Sequence, residues 1–440
     1  MARTRGDGAG RAGDWSAGKA EGVEADDLDP AEIERVRRIL RSAGRAELAD
    51  RDDEALLAAL GVTRDGQVTW AGALLVGEAE VLARVLPQHE VVYLFETSDT
   101  EIGFREDLKA PLLRLLDRVR ELVQQPARNP VHTLRTGLRH IDVPAFPETA
   151  FREALLNALI HRDYLEPASV YVHHRPREMV ISNPGGFVGG ITLSNILHHE
   201  PVARNRLLAE MGQALGLVER AGIGRRRIFI PCLTYGKRPP AYAADAHTVT
   251  LTLFDGTFDE GLAGWIAEEQ ESGREFDLVA LLLLTHLKEH AEITPSEAAA
   301  LCQLPDRRIR DRLERIALER NAWLERRGTG RSVTYHLSRS AAAALIGRKA
   351  FVIIRGIDRA RWPELVRTWV VEHGAITNAQ CRDLLGLGNS RSARVRASQL
   401  LREWSADGGF LERKGTSPHT YHYVLRGGES GAEEEHGASQ

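Results

Sequence analysis

Cysteine is scarce in this chain, and long apolar runs do not occur. The 440 residues include three cysteines, Cys232, Cys302 and Cys381, which lie far apart in the sequence. An odd and widely spaced set argues against a disulfide framework, and a zinc site built from thiolates alone needs a fourth cysteine. We therefore expect a reducing, cytoplasmic setting. Because a membrane-spanning helix needs about 18 consecutive apolar residues, we expect no membrane span.

An excess of positive charge is also missing. The chain has 58 Lys and Arg against 62 Asp and Glu, a formal net charge of -4. This balance excludes a protein that coats nucleic acid through overall positive charge, but it permits a local basic patch. Hydrophobic residues make up 43% and charged residues 27%, which is typical of globular proteins. At roughly 100–200 residues per domain, the length predicts two to four domains.

The amino-acid composition of the chain changes near residue 26. Residues 1–26 are rich in Gly, Ala, Asp and Arg without periodicity, which predicts a disordered leader. Asp29, Pro30 and Glu32 then form the start signal of a helix. We predict that residues 27–143, with a strand near Glu90–Phe95 and an amphipathic helix over Leu108–Val123, form a mixed region that packs on the next module.

Residues 144–258 are predicted to form an α+β module. A helix over Phe151–His161 carries Glu153 and Asn157 four residues apart, and this spacing places both side chains on one face. A carboxylate can polarise a water for attack on phosphorus, and an amide oxygen is a suitable Mg²⁺ ligand. A solvated helix face gives the same spacing, so the pair alone leaves both interpretations open.

Two glycine-bearing bends follow this helix in the chain. The first is Asn183-Pro-Gly185-Gly186, directly after a predicted strand, and the second contains Gly222 and Gly224. Glycine lets the backbone approach a ligand closely, and N–H groups at a helix start can face phosphates. A strand-ending turn and a helix C-cap are the alternative interpretations.

Taken together, these segments resemble one known family. The strings Phe151-Arg-Glu-Ala-Leu-Leu-Asn-Ala-Leu-Ile-His161, Ile181-Ser-Asn-Pro-Gly-Gly186 and Glu219-Arg-Ala-Gly-Ile-Gly224 are similar to the ATP-binding module of bacterial ATP-binding transcriptional regulators and ATP-dependent DNA-helicase-related proteins. That module is a divergent member of the gyrase, chaperone, histidine-kinase and MutL (GHKL) superfamily. The resemblance implies a GHKL-like α/β sandwich, ATP and Mg²⁺.

The resemblance also implies roles for individual residues. Glu153 matches the general base, Asn157 the Mg²⁺ ligand, and Asn183 the position where many members read adenine with an aspartate. The implied nucleotide-binding residues are Asn157, His161, Asn183, Gly185, Gly186, Arg204, Asn205, Gly222 and Gly224. Because an amide accepts less strongly than a carboxylate, Asn183 favours ATP binding over rapid turnover. Relatives usually carry an N-terminal Schlafen/AlbA-type domain, which we do not expect here, and the missing Walker loop argues against helicase motor activity.

The last third of the chain contains an internal repeat. Leu324-Glu-Arg-Arg-Gly-Thr329 reappears as Leu411-Glu-Arg-Lys-Gly-Thr416, and Tyr335-His336 reappears as Tyr421-His422. Each copy is predicted to contain three helices and a hairpin, as a winged helix-turn-helix does. We place the two copies at residues 272–345 and 350–426, followed by a disordered tail over 427–440.

Arginines gather on the third helix and the hairpin of each copy, where winged helices contact duplex DNA. The predicted DNA-binding residues are Arg307, Arg308, Arg312, Arg327, Arg331, Arg391, Arg394, Arg413 and Lys414. Winged helices also dock proteins or dimerise, so that alternative stays open.

The leading prediction is a cytoplasmic, homodimeric transcriptional regulator in which an ATP·Mg²⁺ module with at most weak ATPase activity controls tandem DNA-binding domains. The alternatives are an ATPase in DNA metabolism or defence whose winged helices dock proteins, and a degenerate nucleotide pocket that acts as a scaffold.

Overall fold

The computed structural model describes residues 13–98, 100–136, 139–218, 224–255, 258–345, 362–385, 387, 391–406, 408–415 and 421–426. The chain separates into two compact units. The first contains Met1–Thr285 and Pro295–Asp311, and the second contains His286–Thr294 and Arg312–Gln440. The predicted domain at 272–345 is therefore divided between the units. No helix among the described residues has the length and apolar character needed to cross a membrane.

The N-terminal helices begin where the start signal predicts. Asp29 accepts a hydrogen bond from the backbone N–H of Ala31 at 2.8 Å, and Pro30 is the first residue of α1. Val36 and Leu40 of this helix are fully buried. The elements that follow are α1 (Pro30–Ser42), α2 (Ala46–Ala49), α3 (Asp53–Leu60), β1 (Thr63–Arg64), β2 (Gln67–Val68), α4 (Trp70–Val76) and α5 (Ala79–Val85).

Within the leader predicted to be disordered, residues from Gly13 onwards are described by the structure and have partners elsewhere in the chain. Trp15 stacks on Trp70 and Tyr164, with ring centroids 5.2 and 4.8 Å away. The carboxylate of Asp14 accepts backbone N–H groups at the start of α8 (Arg206–Ala214). These partners lie 55 to 193 residues away along the chain, so composition within the segment gave no indication of them.

A six-stranded mixed sheet forms the centre of the first unit, in the order β4-β3-β7-β8-β10-β9. Every neighbouring pair is antiparallel except β3 and β7, which are parallel. The strands are β3 (Val91–Ser98), β4 (Glu101–Leu108), β7 (Val170–His174), β8 (Glu178–Pro184), β9 (Ala241–Ala244) and β10 (Thr248–Phe254). β3 and β4 lie before the predicted boundary at residue 143, yet they complete the sheet of the strands that follow it.

The connection between β3 and β7 contains the helix that carries Glu153 and Asn157. After β4, the chain forms α6 (Leu112–Val123), a hairpin of β5 (Val131–Thr136) and β6 (Arg139–Pro144), and then α7 (Glu148–His161). The apolar face predicted for α6 is buried. Nine residues of α7 are buried, so this helix lies inside the unit and not on its surface. The next helices along the chain are α8, α9 (Gly224–Thr234) and α10 (Glu260–Glu271).

Both C-terminal repeats have the predicted order of elements. The first contains α11 (Leu278–Glu289), α12 (Pro295–Cys302), α13 (Asp306–Leu318), β11 (Leu324–Arg327) and β12 (Thr334–Leu337), followed by α14 (Arg339–Leu345). The second contains α15 (Trp362–His373), α16 (Asn378–Leu384), α17 (Arg391–Ser405), β13 (Leu411–Lys414) and β14 (His422–Leu425). Ile293 bridges to Tyr335, and Ile376 bridges to Tyr423 in the same way. The two copies therefore share a strand pairing as well as a sequence pattern.

Candidate functional site

Helix α7 aligns Glu153, Asn157 and His161 along one face, since each is four residues from the next. Glu153 is only 6% exposed. The side-chain Nδ2 of Asn157 donates a hydrogen bond to Oε1 of Glu153 at 3.3 Å. This bond fixes the orientation of the amide, so the Oδ1 atom of Asn157 remains available as an acceptor or ligand.

A cavity of about 160 Å³ lies against this face of α7. It brings together seven of the predicted nucleotide-site residues: Glu153, Asn157, His161, Asn183, Gly185, Gly186 and Gly224. Gly222 lies outside the described residues. Residues more than 70 positions apart therefore converge on one cavity, which a solvated helix face would not require.

Gly224 begins α9 directly beside the carboxylate of Glu153. A Cβ atom at this position would lie 2.2 Å from Oε1 of Glu153 and 3.8 Å from Nδ2 of Asn157. Since real contacts of this kind are never so short, any other residue would displace the Glu153 side chain. The close approach explains why the second bend carries glycine here.

The first bend follows β8, and its backbone packs closely against neighbouring segments of the chain. Gly185 has a φ of +93°, and a Cβ atom there would lie 2.9 Å from Cβ of Asp163. At Gly186 a Cβ atom would lie 2.5 Å from the carbonyl oxygen of Asp245. Both positions thus require glycine for steric reasons. Asn183, 7% exposed, lies just before them and lines the cavity.

The side chain of His161 is neutral at physiological pH. Burial, together with the positive charges of Arg204 and Arg225, lowers the pKa of His161 to about 4. A neutral imidazole offers a phosphate one hydrogen bond and no charge. His161 therefore contributes shape and polarity to the cavity more than electrostatic attraction.

Arg204 and Asn205 are not among the residues that line the cavity. Arg204 donates to the carbonyl oxygens of His161 and Gly186 and pairs with Asp163 at 3.2 Å. Asn205, 1% exposed, donates through Nδ2 to the carbonyl oxygens at the end of α7. Arg204 therefore joins the end of α7 to the first bend, and Asn205 joins the end of α7 to the start of α8. A direct contact with nucleotide stays a prediction for each.

The segment after the first bend, residues 187–202, borders the cavity and is called the covering segment below. Residues 187–202 contain turns but no helix or strand, and six of them line the cavity: Phe187, Val188, Ile191, Ile196, Pro201 and Val202. Arg225 donates to the carbonyl oxygens of Ile196 and His199 and so fastens this covering segment to the start of α9. Burial lowers the pKa of Arg225.

The donor set of the cavity fits a magnesium ion that arrives with phosphates. Mg²⁺ prefers oxygen ligands, usually keeps several waters and needs few protein groups when phosphates are present. The Oδ1 atom of Asn157, beside the carboxylate of Glu153, supplies such a group. The described residues contain no cluster of three or more His, Cys, Asp or Glu side chains that could hold a metal by themselves.

Some of the predicted DNA-binding residues are exposed to solvent, and others are half-buried. Arg307 and Arg308 are exposed in the first turn of α13, and Arg394 is exposed in α17. Arg312 and Arg327 are half-buried. The guanidinium of Arg413 lies 4.4 Å from the ring centroid of Tyr421, and Lys414 pairs with Glu412 at 2.7 Å. The side chains of Arg331 and Arg391 lie outside the described part of the chain.

A comparison with family models finds a similarity over part of the sheet. Residues 168–253 match the family model described as "Putative ATP-dependent DNA helicase recG C-terminal". These residues contain β7, β8, β9 and β10, and they include Asn183, both glycines of the first bend and Gly224. Residues 5–92 match a domain of unknown function, DUF8451. A comparison with curated proteins finds no match.

One solved structure has a similar fold. The crystal structure of the DIP2311 protein from Corynebacterium diphtheriae superposes with a TM-score of 0.63 at 23% sequence identity. The match covers 76% of this chain, and this chain spans 66% of the length of that one. At this identity the likeness concerns the fold alone. It supports the mixed α/β architecture described above.

Proposed function

We propose that the cavity beside α7 binds ATP together with Mg²⁺. The observation that carries this proposal is the convergence of Glu153 and Asn157 with both glycine bends around one cavity, within a chain that contains an ATPase-like module. The mostly apolar lining suits an adenine ring, and Asn183 offers an amide that can hydrogen-bond its edge.

The two polar residues of α7 have different proposed roles. Asn157 holds Mg²⁺ through Oδ1, and the metal neutralises phosphate charge when bound. Glu153 accepts a proton from water at its carboxylate, and its hydrogen bond from Asn157 keeps that group in place. Since Gly224 packs on the same carboxylate, Glu153 has little freedom to move. The expected activity is slow hydrolysis of ATP.

The described conformation is too closed for a whole nucleotide. Cavities that hold small organic ligands typically measure about 300–1,000 Å³, whereas this one measures about 160 Å³. The covering segment, residues 187–202, must therefore move outward before ATP can enter. Binding would then select the opened form.

A thermal-shift titration tests the pocket directly. With ATP and Mg²⁺ at about 100 times the dissociation constant, the protein should gain roughly 2.7 kcal/mol of stability. ATP with a chelator should give a smaller shift, and Asn157→Ala should remove the dependence on Mg²⁺. Gln213→Ala, on α8 and away from the cavity, is the control. No shift with ATP under any condition would favour the scaffold alternative.

We further propose that the two C-terminal repeats are winged helices that bind duplex DNA, and that the protein is a homodimeric, ATP-responsive regulator. The exposed Arg307, Arg308 and Arg394 on third helices support this proposal, since such helices enter the major groove. Binding to genomic DNA fragments should weaken steeply with salt. Arg394→Ala should reduce the salt slope by about one, while Arg84→Ala on α5 should not. Unchanged DNA binding with Arg394→Ala would favour protein docking for the second repeat.

A further inference from the structure

Gln303 connects the turn between α12 and α13 to the covering segment of the cavity. Its Nε2 donates to the carbonyl oxygen of Leu193 at 2.8 Å, and its Oε1 accepts the backbone N–H of Leu197 at 2.8 Å. One amide side chain therefore occupies a donor and an acceptor of the covering segment at once. The contacts join residues 106 and 110 positions apart, all within the first unit.

The backbone at Gln303 is unusual for its residue type. Its φ is +54°, in the left-handed region that glycine or asparagine normally occupies after a helix. A glutamine here costs backbone free energy that glycine would avoid. The side chain does not line the cavity, so it has no direct part in nucleotide binding. Its two hydrogen bonds to the covering segment are the interactions that offset this cost.

The covering segment is thus fastened from two sides. Arg225 holds Ile196 and His199 from the start of α9, and Gln303 holds Leu193 and Leu197 from the turn after α12. Arg225 lines the cavity, whereas Gln303 does not. Only Gln303 can therefore be altered without changing the surface that would meet a ligand.

We propose that Gln303 is a positioning residue that keeps the covering segment closed, so that the turn between α12 and α13 controls the entry of nucleotide. The control of nucleotide entry rests on the proposed ATP site, whereas the positioning of the covering segment does not. Any event that moves the turn, such as the docking of α13 on duplex DNA, would break the two hydrogen bonds and open the cavity. The turn thereby connects the first repeat to the nucleotide site.

Two substitutions separate this role from a merely structural one. Gln303→Gly removes the side chain and relieves the left-handed backbone, so the fold should be retained. Gln303→Glu keeps an acceptor for Leu197 but places a carboxylate oxygen against the Leu193 carbonyl. A protonated carboxyl group again has a donor and an acceptor, so the effect should become smaller as the pH falls towards the pKa of that carboxyl group. Asp65→Gly, another left-handed position (φ +50°), is the matched control.

Amide hydrogen exchange without nucleotide is the first measurement. Relative to the unsubstituted protein at the same pH, residues 187–202 should exchange roughly tenfold faster in Gln303→Gly at pH 8 and at pH 5, because two hydrogen bonds are lost. Gln303→Glu should show this increase at pH 8 and a smaller one at pH 5. Asp65→Gly should show none. Equal exchange in Gln303→Gly and the unsubstituted protein overturns the proposal, whatever the cavity binds.

Stopped-flow association of a fluorescent ATP analogue with Mg²⁺ is the second measurement. The association rate should rise roughly tenfold in Gln303→Gly, because a larger fraction of molecules is open. If exchange rises but association does not, the control of entry is wrong. If the unsubstituted protein binds no nucleotide while exchange responds as expected, the proposed ATP site fails and the positioning role of Gln303 stands.

Discussion

Asn157 donates a 3.3 Å hydrogen bond to the carboxylate of Glu153 one turn earlier on α7, and Gly224 packs against the same carboxylate. The pair is therefore a fixed unit inside a cavity and not two side chains on a solvated face. It places an amide and a carboxylate side by side against that cavity.

Glu153→Gln should retain ATP binding and lose hydrolysis. A glutamine keeps an acceptor for Asn157 but cannot take a proton from water, and general-base loss typically lowers a rate by about 10²–10⁴-fold. Phosphate release in single-turnover assays measures the effect. Glu148→Gln, on the same helix but exposed, should hydrolyse ATP at the unsubstituted rate. Equal rates in both variants would remove Glu153 from the mechanism.

Gly224→Ala should destabilise the protein and weaken nucleotide binding together. The added methyl group would lie 2.2 Å from Oε1 of Glu153, and overpacking of this kind typically costs about 1–3 kcal/mol. Gly264→Ala meets no atom within 4 Å in α10 and should stabilise by up to about 1 kcal/mol. Urea unfolding of both variants gives the comparison, and an unaffected Gly224→Ala protein would contradict the close packing.

Asn205→Ala should lower stability whether or not nucleotide is present. The change leaves two buried carbonyl oxygens at the end of α7 without their donor, which typically costs about 1–3 kcal/mol. Gln213→Ala, in α8 nearby in sequence, should stay within about 0.5 kcal/mol. Denaturant unfolding with and without ATP distinguishes the roles. A loss of ATP affinity at unchanged stability would show that Asn205 contacts the nucleotide after all.

Stability should fall as the pH drops below about 6.5. Burial lowers the pKa of His89 to about 3 and the pKa values of His161 and His174 to about 4. The unfolded chain, with pKa values near 6.5, then binds more protons than the folded chain between these limits. Each histidine should cost roughly 1.4 kcal/mol per pH unit within that window.

Urea unfolding at pH 7.5 and pH 5 measures this dependence. His89→Gln should make the difference between the two pH values smaller, whereas His140→Gln, at an exposed position, should leave it unchanged. Stability that is equal at the two pH values would contradict neutral burial of these rings.

Local signals in the sequence predicted local structure well. The cap at Asp29, the apolar face of α6, and the order of elements in both repeats follow from residues within one or two helical turns. The convergence of Glu153, Asn157, Asn183 and Gly224 was implied by resemblance to a family, because their spacing alone is ambiguous. All four residues line the same cavity.

What the sequence did not predict depends on distant partners. Trp15 stacks on Trp70 and Tyr164, and β3 pairs with β7. Gln303 forms hydrogen bonds to the covering segment, more than 100 residues away in the sequence. Nothing in the composition of residues 13–26 indicates that a tryptophan there has a stacking partner. The bracing roles of Arg204 and Asn205 were missed for the same reason, since their acceptors are backbone carbonyls of other elements.

β3 pairs in parallel with β7, although it lies outside the segment that resembles a known family. The segment that must fold together is therefore longer than the segment that the resemblance identifies. A fragment cut at residue 144 would leave Val170–His174 with its backbone N–H and C=O groups unpaired along one side. Open strand edges of this kind recruit strands from other molecules. Such a fragment should aggregate, and its failure to bind nucleotide would say nothing about the intact protein.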